Sequence, residues 1–411
     1  MSAGSAVGEV EPAGRWHALA GLAIAKFLAL STWFSASAVV LELEQVWSLT
    51  TATASMLTIA VQLGFVAGAL FSAALSLADR FPPRRVMAVG ALGAAAANAG
   101  LLLVGAAGPA IALRFATGAC LAAVYPPALK VMATWFRRGR GLALGVMVGA
   151  LTLGSALPHL VRGLGGLDWQ LVVIATSVAT VAGGVIALLG RDGPYPFPRA
   201  TFRFGDALRV ARDRRVQLAS YGYFGHMWEL YALWAWAVAY LTASFQYVGM
   251  RDPDVAAAFG AFAVVGVGVL GCVAGGALAD RRSRTWLTSL AMCLSGASAA
   301  LAGLVWGLHP GIVMAVMLFW GFWVIADSAQ FSTLVTEVAD QRYVGTALTL
   351  QLALGFTFTI VTIWLIPLLV DAIGWRWAFL VLVPGPLLGT LAMRLLAREL
   401  GETTTQTAHP P

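Results

Sequence analysis

Between residues 16 and 396 the chain is a succession of apolar stretches separated by short polar connections. Crossing a bilayer as a helix takes about 20 apolar residues. Twelve such stretches can be read, at 16–41, 51–77, 85–107, 109–135, 141–163, 169–190, 216–244, 254–279, 285–307, 310–338, 343–370 and 374–396. Inside lipid every backbone polar group must be satisfied by protein, which leaves only helices or a closed barrel. A barrel would read as short alternating strands, whereas these runs are long and unbroken. The expected fold is therefore an all-α membrane protein, with twelve transmembrane helices in two six-helix halves. Composition agrees, since only 11% of residues are charged against about 25% in a soluble domain. The mean hydropathy of +0.81 is too apolar for a water-facing surface.

Charge sets the orientation. With both termini cytoplasmic, 21 of the 26 Lys and Arg residues fall in inside loops, Arg162, Arg251 and Arg376 fall outside, and Lys26 and Arg114 lie within spans. This is the asymmetry of the positive-inside rule. It also accounts for the net charge of +7 by arginine-rich loops facing anionic lipid, so no nucleic-acid partner is expected. The preference for Arg over Lys reads as the base composition of a bacterial genome, which places the chain in a bacterial inner (plasma) membrane. Glu9 and Glu11 precede Arg15; they do not form the basic leader of a signal peptide, so the first run is expected to be retained. The domains are expected to be an N-terminal half at 1–190, a Pro- and Arg-rich cytoplasmic linker at 191–215, a C-terminal half at 216–400 and a disordered tail at 401–411. Cys120, Cys272 and Cys293 have no paired spacing and read as packing residues, with no metal and no cofactor.

A near-repeat ties the halves together. Leu77-Ala78-Asp79-Arg80 recurs as Leu278-Ala279-Asp280-Arg281, with the two aspartates 201 residues apart. Internal repeats of this kind mark many secondary transporters. An acid at a helix C-terminus opposes its own dipole, and becomes favourable if it points at the N-terminus of another helix. The candidate N-termini are those of the fifth span, near Gly141, and the eleventh, near Gly345. Asp79, Arg80, Asp280 and Arg281 are thus candidate gating residues at the cytoplasmic side.

The chain here resembles the major facilitator superfamily. The family loop motif runs Gly-x-Leu-Ala-Asp-Arg-x-Gly-Arg-Arg. The second copy reads Gly276-Ala277-Leu278-Ala279-Asp280-Arg281-Arg282-Ser283-Arg284, and the first copy has Leu75 and Pro82 in place of the glycines. Arg114-x-x-x-Gly118 looks like the family's second motif. The Gly-Pro-x-x-Gly-Gly signature that exporters of this superfamily carry in the fifth helix is absent; Gly154-Ser155-Ala156-Leu157-Pro158 stands there instead. There is general similarity to the nitrate/nitrite-porter-like and organic-anion branches. The second and eighth spans nevertheless lack the arginines that nitrate binding would need.

Ionisable groups within a membrane are costly and usually functional. Only two of the nineteen acids fall well inside spans, Glu229 in the seventh and Asp327 in the tenth. Lys26 in the first and Arg114 in the fourth are the internal bases. The resemblance implies that these four helices line a central cavity. Helical spacing adds neighbours: Trp33 to Lys26, Tyr125 to Arg114, His226 and Trp236 to Glu229, and Trp323 and Gln330 to Asp327. The expected substrate-binding set is Lys26, Trp33, Arg114, Tyr125, Trp236, Trp323 and Gln330. Lys26 and Arg114 would hold an anion. Glu229 or Asp327 would take up a proton, and His226 could relay it.

The sequence contains no nucleotide loop, no His-Glu-x-x-His site and no Gly-x-Ser-x-Gly elbow, so an enzyme is not expected. The expected function is proton-coupled secondary transport of a small organic anion, carboxylate in type, by alternating access. Uptake by symport is favoured, and the chain is expected to act as a monomer. The alternative is a proton-driven exporter of amphipathic drugs or metabolites, which a tryptophan-rich seventh helix and paired acids would suit.

Overall fold

The computed structural model describes residues 12–137, 139–196 and 204–402, and every regular element among them is helical. The tail from 403 onward, Arg138, and the side chain of Asp79 lie outside the described residues. The helices are α1 (Arg15–Ala29, continuing as turns over Leu30–Thr32, Ser35–Ala38 and Val40–Val46), α2 (Thr51–Ala74), α3 (Pro83–Leu103), α4 (Ala107–Ala133), α5 (Arg140–Leu164) and α6 (Trp169–Leu189). The second half follows as α7 (Arg214–Tyr247), α8 (Pro253–Arg281), α9 (Arg284–Val305), α10 (Pro310–Val338), α11 (Val344–Ile373) and α12 (Trp375–Glu399).

Among the described residues ten of these, α2–α6 and α8–α12, are long and apolar enough to cross a membrane. The remaining two, α1 and α7, have distinct reasons for falling short. α1 is broken into pieces after Ala29. Its Ser31 and Ser35 hydroxyls bond back to the Leu28 and Thr32 carbonyls at 2.8 and 3.1 Å, which offers the backbone an alternative to the helix ladder. α7 is continuous, but it is buried by protein along most of its length. It can therefore carry Tyr223, His226 and Glu229 where a lipid-facing helix would carry leucine. Elsewhere large apolar side chains such as Val89, Val178, Leu189 and Leu388 stand exposed on the outer face, as a multi-pass membrane protein requires.

The two halves are packed alike. In the first, α2 lies on α4, α1 on α5 and α6, and α3 on α4 and α6. In the second, α8 lies on α10, α7 on α11 and α12, and α9 on α10 and α12. The halves meet along two helix pairs, α2 with α11 and α5 with α8. The α5–α8 pair depends on small residues, since a Cβ at Gly145 would stand 3.1 Å from the Cys272 carbonyl oxygen. Such close backbone approach is how helices associate in lipid, where no hydrophobic force drives them together.

The connection between halves is attached at both described ends. Arg84 binds Asp192 at 3.0 Å, and Gly193 N–H donates to Thr134 at 2.7 Å. On the far side the short helix Ala207–Arg212 leans on α11, with Arg209 donating to the Tyr343 hydroxyl at 2.5 Å. In the adjoining loop, the Arg342 fork and backbone N–H bond the Asp340 carboxylate and draw its pKa down to about 2.

Candidate functional site at the seam

Lys26 is fully buried on α1. Its ammonium donates to the Met147 carbonyl of α5 at 2.7 Å and lies 4.0 Å from the centroid of the Tyr125 ring. Tyr125 reaches this place because α4 is interrupted at Ala122–Val124. Pro126 and Pro127 lack the N–H groups that would continue the ladder there. Burying a charge is costly unless it is compensated, yet a carbonyl dipole and a π face are all that Lys26 has. Among the described residues no carboxylate stands within ion-pair distance of it.

Across the seam, Asp327 occupies the break between the two parts of α10, Pro310–Ala326 and Ser328–Val338. Its Oδ1 lies 2.9 Å from His226 Nδ1, and both residues are buried. That contact is close without being aligned as a hydrogen bond, and His226 Nε2 has no partner at all. Between the two sides stands Cys272 of α8, its Sγ 3.9 Å from Thr152 Oγ1 of α5 and 3.9 Å from the carbonyl of Ile325, two residues before Asp327.

Aromatic rings from both halves close over this region. Trp33 lies 5.9 Å from Tyr231 and 5.7 Å from Phe356, and Phe65 lies 4.5 Å from Phe356. Phe34 adds contacts at 5.9 Å with Tyr231 and with Trp234. These spacings fall in the range where offset or tilted rings attract. The indole N–H groups of Trp33 and Trp234 are buried without partners, two donors left over at the contact between the halves.

Arg114 is fully buried and tied to neutral acceptors within its own half. Nε donates to the Leu57 carbonyl at 3.3 Å, Nη1 to Thr32 O, Ser35 Oγ and Asn98 Oδ1 at 2.9 to 3.1 Å, and Nη2 to Trp33 O at 2.5 Å. The guanidinium thus satisfies the carbonyls freed where α1 unwinds. Glu229 is likewise held inside one half, accepting from Ser295 at 2.8 Å and from the Trp320 indole at 2.6 Å.

Several expected residues are not brought to the seam. Trp236 donates to the Ile363 carbonyl at 3.1 Å and packs near Trp375. Trp323 is half-buried against Phe319 and Phe322. Gln330 accepts from Arg284, which also binds Glu337 at the cytoplasmic end. Residues the sequence reading passed over include Tyr231, Phe356 and Trp320. Trp320 sits two turns before Asp327, but spacing alone does not separate it from Trp323, one turn before.

At the cytoplasmic end of the α5–α8 pair, a Cβ at Gly141 would stand 3.0 and 3.1 Å from the two Asp280 carboxylate oxygens. The acid therefore lies beside the first turn of a 25-residue helix, where the dipole and the free N–H groups favour negative charge. Arg80 and Arg281 are exposed.

Comparison with known proteins completes this picture. A family model described as Major Facilitator Superfamily matches residues 22–357. The chain is 26% identical over 228 residues to the "Probable sulfoacetate transporter SauU" of Cupriavidus necator, covering 50% of this chain and 51% of that protein. It is 26% identical over 140 residues to the "Uncharacterized transporter ESBP6" of Saccharomyces cerevisiae, covering 32% of this chain and 20% of that one. The chain thus spans about a fifth to a half of these relatives. Crystal structures of a bacterial homologue of the human lysosomal transporter Spinster share the fold. The inward-facing, unoccupied form gives a TM-score of 0.71 at 14% identity, covering 97% of this chain and 100% of that one, and the occupied form gives 0.66 at 15%. With the family matched over most of its length and two alike helical halves meeting at α2–α11 and α5–α8, the chain belongs to the major facilitator superfamily.

Proposed function

We propose that the protein is a proton-coupled secondary transporter of a small organic anion, carboxylate or sulfonate in type, working by alternating access and taking its solute up by symport. It is read with twelve spans and cytoplasmic termini, as a monomer in a bacterial inner membrane. The observation that carries this reading is the uncompensated Lys26 ammonium in the N-terminal half together with the loosely held Asp327–His226 pair in the C-terminal half. An anion bound at Lys26 would take the place of the Met147 carbonyl. The bound anion would add a negative charge at the seam, and a proton on the Asp327 carboxylate, relayed by His226, would offset it. Anion and proton would bind together and cross together. The likeness to a probable sulfoacetate transporter supports the solute class. In this proposal Arg114 and Glu229 position helices, and Trp33 and Tyr125 line the solute's path.

A second reading draws on the ring cluster of Trp33, Phe65, Tyr231 and Phe356, which would also suit an amphipathic cation; the chain would then be an exporter. Proteoliposomes separate the two. The proposal expects accumulation of short carboxylates or sulfonates driven by an inward proton gradient, abolished by Lys26→Ala and uncoupled from the gradient by Asp327→Asn. Anion uptake that persists in Lys26→Ala, or gradient-driven uptake intact in Asp327→Asn, would sink it. Reduced accumulation of cationic dyes with Lys26→Ala unaffected would establish the exporter instead.

A further inference from the structure

We infer that Cys272 is a solute-facing, specificity-determining residue of the seam, placed to contact the anionic end of a short carboxylate or sulfonate held by Lys26. For the solute class this rests on the anion reading above; the position of the thiol does not.

The three cysteines are not equivalent. Cys293 is exposed on the outer face of α9, and Cys120 borders an apolar groove of about 730 Å³ on the outer face between α2, α3 and α4. Cys272 is buried where the halves join. Its Sγ lies 3.9 Å from Thr152 Oγ1 of α5 and 3.9 Å from the Ile325 carbonyl of α10, weak contacts for a sulfur. Two independent features aim a ligand at it. From the N-terminal half, the Thr152 hydroxyl that touches Sγ bonds the Val148 carbonyl at 3.0 Å, one residue from the Met147 carbonyl that holds the Lys26 ammonium, itself without a carboxylate partner. From the C-terminal half come the buried Asp327 Oδ1 and, behind it, His226 Nε2, neither of which makes a hydrogen bond. Helix α8 joins these sides because its backbone runs directly against Gly145 of α5. A side chain at position 272 therefore sits in the contact between α5 and the break in α10. Cysteine fills it with a small, polarisable group that costs little to move aside.

The probe is a matched pair of methanethiosulfonates, one ending in a sulfonate and one in an ammonium. The thiolate attacks the sulfenyl sulfur, a disulfide forms, and methanesulfinate leaves with the electron pair of the broken S–S bond, while the thiol proton passes to solvent. The background is the full-length Cys120→Ala/Cys293→Ala variant in liposomes, with modification at Cys272 read by mass spectrometry. The sulfonate reagent is expected to label Cys272 roughly tenfold faster than the ammonium reagent, through focusing by the Lys26 charge. Lys26→Gln should remove that preference, and a transported anion should protect the site. In the same background Cys272→Leu should raise KM for the anion roughly tenfold, with melting temperature unchanged. No labelling of Cys272 under conditions in which the same variant unfolded in detergent reacts fully, or labelling that no solute suppresses, overturns the inference. Faster labelling by the ammonium reagent, with protection by cationic solutes, keeps Cys272 on the path and overturns the anion reading instead.

Discussion

The two buried bases illustrate how little residue type says about role. Lys26 and Arg114 look equivalent in sequence, each a lone cation in an apolar span. In the structure Arg114 spreads its planar fork over five neutral acceptors at the break in α1, while Lys26 has one carbonyl and one ring. Lysine cannot reproduce the fork, so Arg114→Lys should strand buried carbonyls at about 1–3 kcal/mol each. The expected result is a melting temperature lower by roughly 5 °C or more in detergent. Lys26→Met removes a buried charge and should leave the melting temperature unchanged or higher, while abolishing anion binding. Arg114→Lys that melts like the parent but no longer binds anion would return Arg114 to the solute site. The sequence showed which charges were buried and on which helices. It could not show that serine hydroxyls would unwind α1 and create acceptors for one of the bases. Nor could periodicity choose between Trp320 and Trp323. They lie about 60° apart on the far side of a turn, and only the packing of α9 and α10 sends Trp320 to Glu229.

At the scale of elements, breaks do the positioning. α1 unwinds beyond Lys26, α4 restarts at Tyr125, and α10 restarts after Asp327. Only the interruption in α4 is written plainly in the sequence, as Pro126-Pro127; the other two arise from side-chain competition and packing. Each proline disfavours a helix interior by about 3 kcal/mol relative to alanine. Pro126→Ala with Pro127→Ala should therefore let α4 run continuously and carry the Tyr125 ring away from the Lys26 ammonium. The doubly substituted protein is expected to gain protection from hydrogen exchange around residues 122–127 and to bind anion roughly tenfold more weakly, the loss of a cation–π contact of about 1–2 kcal/mol in a desolvated site. Unchanged affinity together with the new protection would show that the ring is incidental. The apolar runs predicted ten of the helices well because lipid imposes that pattern. The seventh run, read at 216–244, is helical over Arg214–Tyr247, whereas the first, read as one span over 16–41, is broken after Ala29.

For the whole molecule, the repeated Leu-Ala-Asp-Arg turn is where duplication becomes mechanism. The sequence pointed Asp280 at the start of the fifth helix, and the structure sets its carboxylate beside Gly141, with the seam above it closed over Lys26, Trp33 and Asp327. The α5–α8 contact continues outward through Gly145 and Cys272 to Gly163 and Phe259. In the alternating access proposed above, rocking of one half against the other would open this seam from one end at a time. The cytoplasmic end can be locked without touching the midplane. In a background lacking the three native cysteines, and with uptake by that background first confirmed, Gly141→Cys and Asp280→Cys would face each other. A Cβ at 141 already lies 3.4 Å from the Asp280 carboxyl carbon, which stands roughly where the sulfur of a cysteine at 280 would, so the two thiols come within bonding reach. Oxidation should hold the cytoplasmic end shut and stop uptake, and reduction should restore it to the level of the unoxidised double variant. Gly141→Cys alone should respond to neither treatment. Uptake that continues in fully cross-linked protein would mean that this end never opens in the cycle, and that the two halves exchange access by some route other than parting at α5 and α8.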